Sequence, residues 1–86
     1  MRFVVEVRAS AAKEFEALPR ETQVRFASCF AELAQNPCRR RPGLNIKRMR
    51  GVDTWRLRVG DYRGVYTVVG PLVLFTRFGH RSVVYR

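Results

Sequence analysis

Two glycine-led dipeptides, Gly60-Asp61 and Gly70-Pro71, divide the second half of the chain into three runs of β character: Thr54 to Val59, Tyr62 to Val69 and Leu72 to Gly79. Glycine at the first loop position suits a two-residue type II′ turn, whose first residue takes a positive φ that strains any Cβ. Two such turns in succession predict three neighbouring antiparallel strands. With Gly60 and Asp61 as the loop, the facing pairs are Val59 with Tyr62, Arg58 with Arg63, Leu57 with Gly64, Arg56 with Val65, and Trp55 with Tyr66. Alternation places Trp55, Leu57, Val59, Tyr62 and Tyr66 on one face and Arg56, Arg58 and Arg63 on the other.

The first half reads differently. Arg2 to Arg8 alternates with Phe3, Val5 and Val7 on one side, as a half-buried strand does. Ser10 stands where an N-cap would, Ala12, Phe15 and Leu18 follow at three-residue spacing, and Pro19 closes the segment, so a short helix is predicted. From Arg20 to Gln35 the residues Val24, Ala27, Phe30, Ala31 and Ala34 form an apolar stripe, broadened by Phe26, Cys29 and Leu33 and ended by Asn36-Pro37. This is the main helix, paired with the first as a hairpin. Residues 37–53, with two prolines and two glycines, read as a basic loop with room for one short strand. The order predicts one α+β domain over residues 1–86: two N-terminal helices packed on one face of a twisted antiparallel sheet of about four strands.

Charge is uneven along this plan. The formal net charge is +10, yet residues 1–36 carry five basic and five acidic side chains, so the whole excess lies in residues 37–86, with twelve basic and two acidic. A domain that is neutral in one half and cationic in the other points to a polyanionic partner, nucleic acid or an acidic protein. The loop runs Arg39-Arg40-Arg41 and Lys47-Arg48-Met49-Arg50 are the first candidates for RNA contact: Arg39, Arg40, Arg41, Lys47, Arg48 and Arg50. No apolar run approaches the ~18–20 residues that span a bilayer, and two cysteines are too few for a disulfide framework, so a soluble protein of the reducing cytoplasm with no membrane contact is expected. One histidine and seven scattered carboxylates offer no ligand pair at metal-binding spacing. The expected chemistry is free of metal and cofactor.

Like charges placed directly across a hairpin cost it a few tenths of a kcal/mol or more. Arg58 opposite Arg63 therefore needs a reason, either a fully solvated face or an anion bound there, and the planar guanidinium forks onto phosphate oxygens. The last long strand closes with Gly79-His80-Arg81, which adds a further arginine and the sole histidine, and Tyr85 follows.

Taken in order, Lys47-Arg48-Met49-Arg50-Gly51, the stretch Trp55 to Arg63, Val65-Tyr66, Gly79-His80-Arg81 and Val84-Tyr85 resemble the RelE branch of the RelE/ParE toxin superfamily, over nearly the whole chain. The resemblance implies a small ribosome-dependent messenger-RNA endonuclease, the toxin of a type II toxin-antitoxin pair. It also implies an acidic cognate antitoxin, a toxin-antitoxin hetero-oligomer, and the ribosome and its message as targets. Carried over by position, the basic residues of the second sheet strand fall on Arg56 and Arg58, the next strand supplies Arg63, the Gly-His-Arg turn supplies Arg81, and the C-terminal tyrosine is Tyr85. Familiar members have lysines at the first two positions, one of them implicated in proton transfer. Arginine, with a pKa above ~12, cannot take that part. Tyr85 and His80 are then the candidates for moving protons, with Tyr85 favoured as base. Two alternatives stay open: a gyrase-targeting toxin of the ParE branch, and a non-catalytic basic RNA- or ribosome-binding module.

Overall fold

The computed structural model describes residues 2–49 and 53–84. In chain order the elements are β1 (Val4–Val7), α1 (Ala9–Glu16), α2 (Arg20–Gln35), β2 (Asn45–Arg48), β3 (Thr54–Val59), β4 (Tyr62–Val69), β5 (Leu72–His80) and a single helical turn, α3 (Arg81–Val84). The five strands form one sheet in the order β1-β5-β4-β3-β2. The α+β plan with two N-terminal helices is the predicted one, and the sheet departs from it in two ways. It has five strands, and β1 runs parallel to β5, with Val4 opposite Leu72 and Val7 opposite Phe75, while every other pairing is antiparallel.

Both predicted turns form. Gly60 and Gly70 have φ of 59° and 57°, and no residue other than glycine has a positive φ among those described, which leaves Asp61 and Pro71 in the negative-φ position of a type II′ turn. The β3–β4 register matches the sequence reading pair for pair. β2 lies in the stretch read as basic loop. It is entered through a tight turn in which Arg41 bridges Leu44, with Pro42 and a positive-φ Gly43 at the centre, the residue choice of a type II turn. Only Ile46 of this strand enters the core.

The helices differ in detail from the sequence pattern. Arg8, not Ser10, occupies the N-cap position of α1, and no side chain caps it. On α2 the buried positions are Thr22, Phe26 and Leu33, whereas Val24 is 57% exposed. Burying the larger Phe26 and Leu33 removes more apolar area from water than burying Val24 and the alanines, so the helix is rotated toward them. Phe15 of α1 and Phe26 and Phe30 of α2 meet Phe75 and Phe78 of β5, which stack at 5.0 Å and 10°. Gly64 lies against this pair, and a Cβ there would stand 3.0 Å from ring atoms of both phenylalanines. The close packing of β4 on β5 needs a residue without a side chain.

Tyr66, fully buried, ties the basic loop to the sheet by donating its hydroxyl to the Pro37 carbonyl at 2.7 Å. Burial, reinforced by the nearby Cys38 and opposed by Arg41, pushes its phenol well above the usual tyrosine value. The folded state therefore keeps a proton that the unfolded state gives up above pH ~10, so this contribution is complete at neutral pH and is lost as pH rises beyond that. Tyr66→Phe should cost about 1–3 kcal/mol at neutral pH, since the Pro37 carbonyl loses its buried donor, and should flatten the alkaline fall in stability. Urea melts of both proteins between pH 7 and 11 measure the two effects together.

Candidate functional site

The face of the sheet opposite Trp55, Leu57 and Tyr66 is built in rows across strands. One row runs Asn45, Arg58, Arg63, Gly79, and the next runs Lys47, Arg56, Val65, Arg77. Five cations thus share one surface. The predicted trio Arg56, Arg58 and Arg63 is brought together as expected, with Lys47 beside Arg56.

The like-charge pair has an internal explanation. Arg63 is only 6% exposed, and its guanidinium donates to the Gly60 carbonyl at 3.0 Å and the Tyr62 carbonyl at 3.1 Å. Arg58, exposed, donates through Nε to the same Gly60 oxygen at 3.3 Å. Both facing arginines lean on one turn carbonyl, whose partial negative charge offsets part of their repulsion. Arg56 donates to Asn45 Oδ1 at 3.2 Å. Neither Arg56 nor Arg58 is ion-paired with a carboxylate among the described residues, whereas Arg77 is held by Glu14 of α1 at 3.3 Å. The other oxygen of that carboxylate accepts the Phe78 N–H at 3.0 Å, closing the edge of β5 beyond the end of β1.

A one-residue bulge decides which side chains of β5 reach this face. Tyr66 pairs with Phe75, but Val65 pairs with Arg77, so Thr76 is the extra residue. Its hydroxyl lies 3.4 Å from the Val65 carbonyl. Without the bulge, strict alternation from the Gly70-Pro71 turn would turn Arg77 into the core and Phe78 and His80 onto the arginine face. With it, Phe78 is buried, Gly79 stands opposite Arg63, and His80 pairs with Tyr62 on the side away from the arginines. The His80 and Tyr62 rings meet edge to face at 5.6 Å. The imidazole is further engaged: Nδ1 accepts the backbone N–H of Ser82 at 3.2 Å and lies 2.9 Å from Ser82 Oγ. His80 is therefore not grouped with the arginines, in contrast to the sequence expectation.

Arg81 is exposed in the turn that follows, with its N–H bonded to the Asp61 carbonyl of the hairpin tip at 2.9 Å. Tyr85 and Arg50 fall outside the described residues. Of the other loop cations, Arg39, Arg40 and Lys47 are exposed, and Arg48 sits 3.8 Å from Asp53. Arg41 has a structural task instead. Its side chain pairs with Glu32 at 3.2 Å and donates to the carbonyls of Glu32, Asn36 and Arg39, so it closes the C-terminal end of α2.

Two open clefts adjoin the arginine face at the β2 edge. One, of about 530 Å³, is lined by Arg40, Asn45, Lys47 and Arg56, and the other, of about 390 Å³, by Arg25, Asn45, Arg58 and Gly60. Arg25 and Arg77 had no place in the sequence reading of the site. The parity of Arg77 is hidden by the bulge, and Arg25 reaches the hairpin tip from the middle of a helix in the electrically neutral half.

Residues 5–85 match the family model described as the ParE toxin of the type II toxin-antitoxin system, parDE. No curated protein sequence matches the chain. Among solved structures, the archaeal RelE-RelB complex of Pyrococcus horikoshii OT3 superposes with a TM-score of 0.80 at 24% identity, over 98% of this chain and 100% of the other. The RelB-RelE antitoxin-toxin complex of Methanococcus jannaschii gives 0.77 at 25% identity over 92% and 93%. The isolated Escherichia coli RelE toxin gives 0.74 at 24% over 99% and 92%.

Proposed function

The chain belongs to the RelE/ParE toxin superfamily, as a toxin of type II toxin-antitoxin systems, and on that premise we propose that it is a ribosome-dependent, metal-independent messenger-RNA endonuclease. The observation that carries this reading is the row register that sets Arg56, Arg58 and Arg63 on one sheet face, with Arg81 in the turn anchored to the same hairpin tip. In-line cleavage forms an O2′–P bond and breaks the P–O5′ bond, through a phosphorane that concentrates negative charge. Fixed guanidinium groups stabilise that charge without reorganising during the reaction. Tyr85 accepts the 2′-hydroxyl proton, the leaving 5′-oxygen takes one from solvent, and the products are a 2′,3′-cyclic phosphate and a 5′-hydroxyl.

An acidic antitoxin is the proposed partner. A free domain at +10 attracts polyanions without selectivity, and an acidic chain that covers the arginine face silences it by charge complementarity.

The family model's own name favours a second reading, inhibition of DNA gyrase without any nuclease activity. One experiment separates them. Purified chain is added to message alone, to message on translating ribosomes, and to a gyrase supercoiling reaction. Cuts within ribosome-bound message alone are the expected result; intact message together with blocked supercoiling would replace the nuclease with the gyrase reading, and RNA binding without either would leave a basic binding module.

A further inference from the structure

His80 is the sole histidine of the chain, and its place next to Arg81 in the sequence invites assignment as an acid or base. Its surroundings indicate other work. A backbone N–H can only donate, so the 3.2 Å contact from Ser82 N makes Nδ1 an acceptor and leaves the ring proton on Nε2. The Ser82 hydroxyl, at 2.9 Å, donates to the same nitrogen. In this tautomer the ring has no free basic nitrogen. The contact runs from residue i to the N–H of residue i+2, across the first turn of α3, which is the connection an N-cap side chain makes. Tyr62 fixes the ring from the side by its edge-to-face contact. Between these contacts sits Arg81, whose own N–H is bound to Asp61 O. Arg81 is thus anchored by its backbone to the hairpin tip and followed at once by the capped amide.

We propose that His80 is a positioning residue: its Nδ1 caps the Ser82 amide and so fixes the turn that presents Arg81, and it moves no proton. The cap is independent of what the toxin does; only its effect on cleavage rests on the nuclease reading.

Asparagine provides the test, because its Oδ1 hangs from Cγ as histidine Nδ1 does and accepts from the i+2 amide, yet it has no useful acid or base chemistry. Full-length wild type, His80→Asn and His80→Ala are compared in two measurements: amide hydrogen exchange at Ser82 by NMR, and cleavage of ribosome-bound message. In His80→Ala the Ser82 amide should exchange roughly fivefold faster, the effect of losing a cap of ordinary strength, and His80→Asn should restore protection to within about twofold. Cleavage should follow the same order, with His80→Asn near wild type and His80→Ala slower. Unchanged Ser82 exchange in His80→Ala would overturn the cap. Restored protection in His80→Asn with cleavage as poor as in His80→Ala would overturn the positioning role in favour of imidazole chemistry. Should the wild type cut no message, the exchange arm still decides the cap while the nuclease reading falls on its own.

Discussion

Arg81→Ala should cut ribosome-bound message about a hundred to a thousand times more slowly than wild type while unfolding at the same urea concentration. That factor is typical for removal of one preorganised contact to developing charge, equivalent to about 2.7–4 kcal/mol of transition-state stabilisation. Arg81 is exposed, and the hydrogen bond that anchors it uses its backbone, so the substitution leaves the hydrogen bond to Asp61 in place and opens no cavity. Arg63→Ala should slow cleavage by a comparable factor but with a second signature. Arg63 is nearly buried and holds the Gly60 and Tyr62 carbonyls, so the variant should also melt earlier. Arg63→Lys keeps the charge with a smaller structural loss and isolates the part played by the guanidinium fork. Single-turnover cleavage and urea melts on the three variants measure both quantities. Wild-type rates in folded Arg63→Ala and Arg81→Ala would remove the arginine face from the mechanism.

The largest effect on stability is expected from Phe75→Ala. This side chain is fully buried, stacks on Phe78, and touches Phe30 of α2 at 4.8 Å and Tyr66 at 5.1 Å between ring centres. Removing a phenylalanine from such a site costs about 3–5 kcal/mol in transfer energy and unfilled space. A domain of ordinary stability holds only about 5–15 kcal/mol in all. The variant should therefore unfold at a much lower urea concentration than wild type, with a shallow or missing native baseline. A midpoint close to that of wild type would mean that the aromatic cluster repacks around the loss.

The β3–β4 hairpin could be read from sequence because its determinants are local. Glycine at the turn fixes the register, and alternation does the rest, so the facing of Arg58 and Arg63 follows from Gly60 alone. β2 was much harder to see. Asn45 to Arg48 offers a single core residue, Ile46, and an edge strand of four residues needs no more than that to pair. The parallel union of β1 with β5 leaves no trace in either segment, since both show the same half-buried alternation whichever way the neighbour runs. The bulge at Thr76 is the costliest omission for the site. Nothing in Leu74-Phe75-Thr76-Arg77-Phe78 marks the extra residue except the need to bury both phenylalanines, and this one residue exchanges Phe78 for Gly79 opposite Arg63 and turns His80 off the arginine face. Arg25 was unreadable for a different reason, because its place beside the hairpin tip depends on how α2 docks.

The pairing of Val4 with Leu72 also sets an order of events during synthesis. The first strand of the chain has to wait for the last, and until β5 emerges β1 has no neighbour to satisfy its peptide groups. Contacts this distant in sequence also slow folding once the chain is free. Arg63 meets Gly79 through the same late-arriving strand, so a nascent chain carries its arginines without the surface they form. The surface proposed to meet the ribosome is thus a product of the completed sheet, present only once β5 has joined β4.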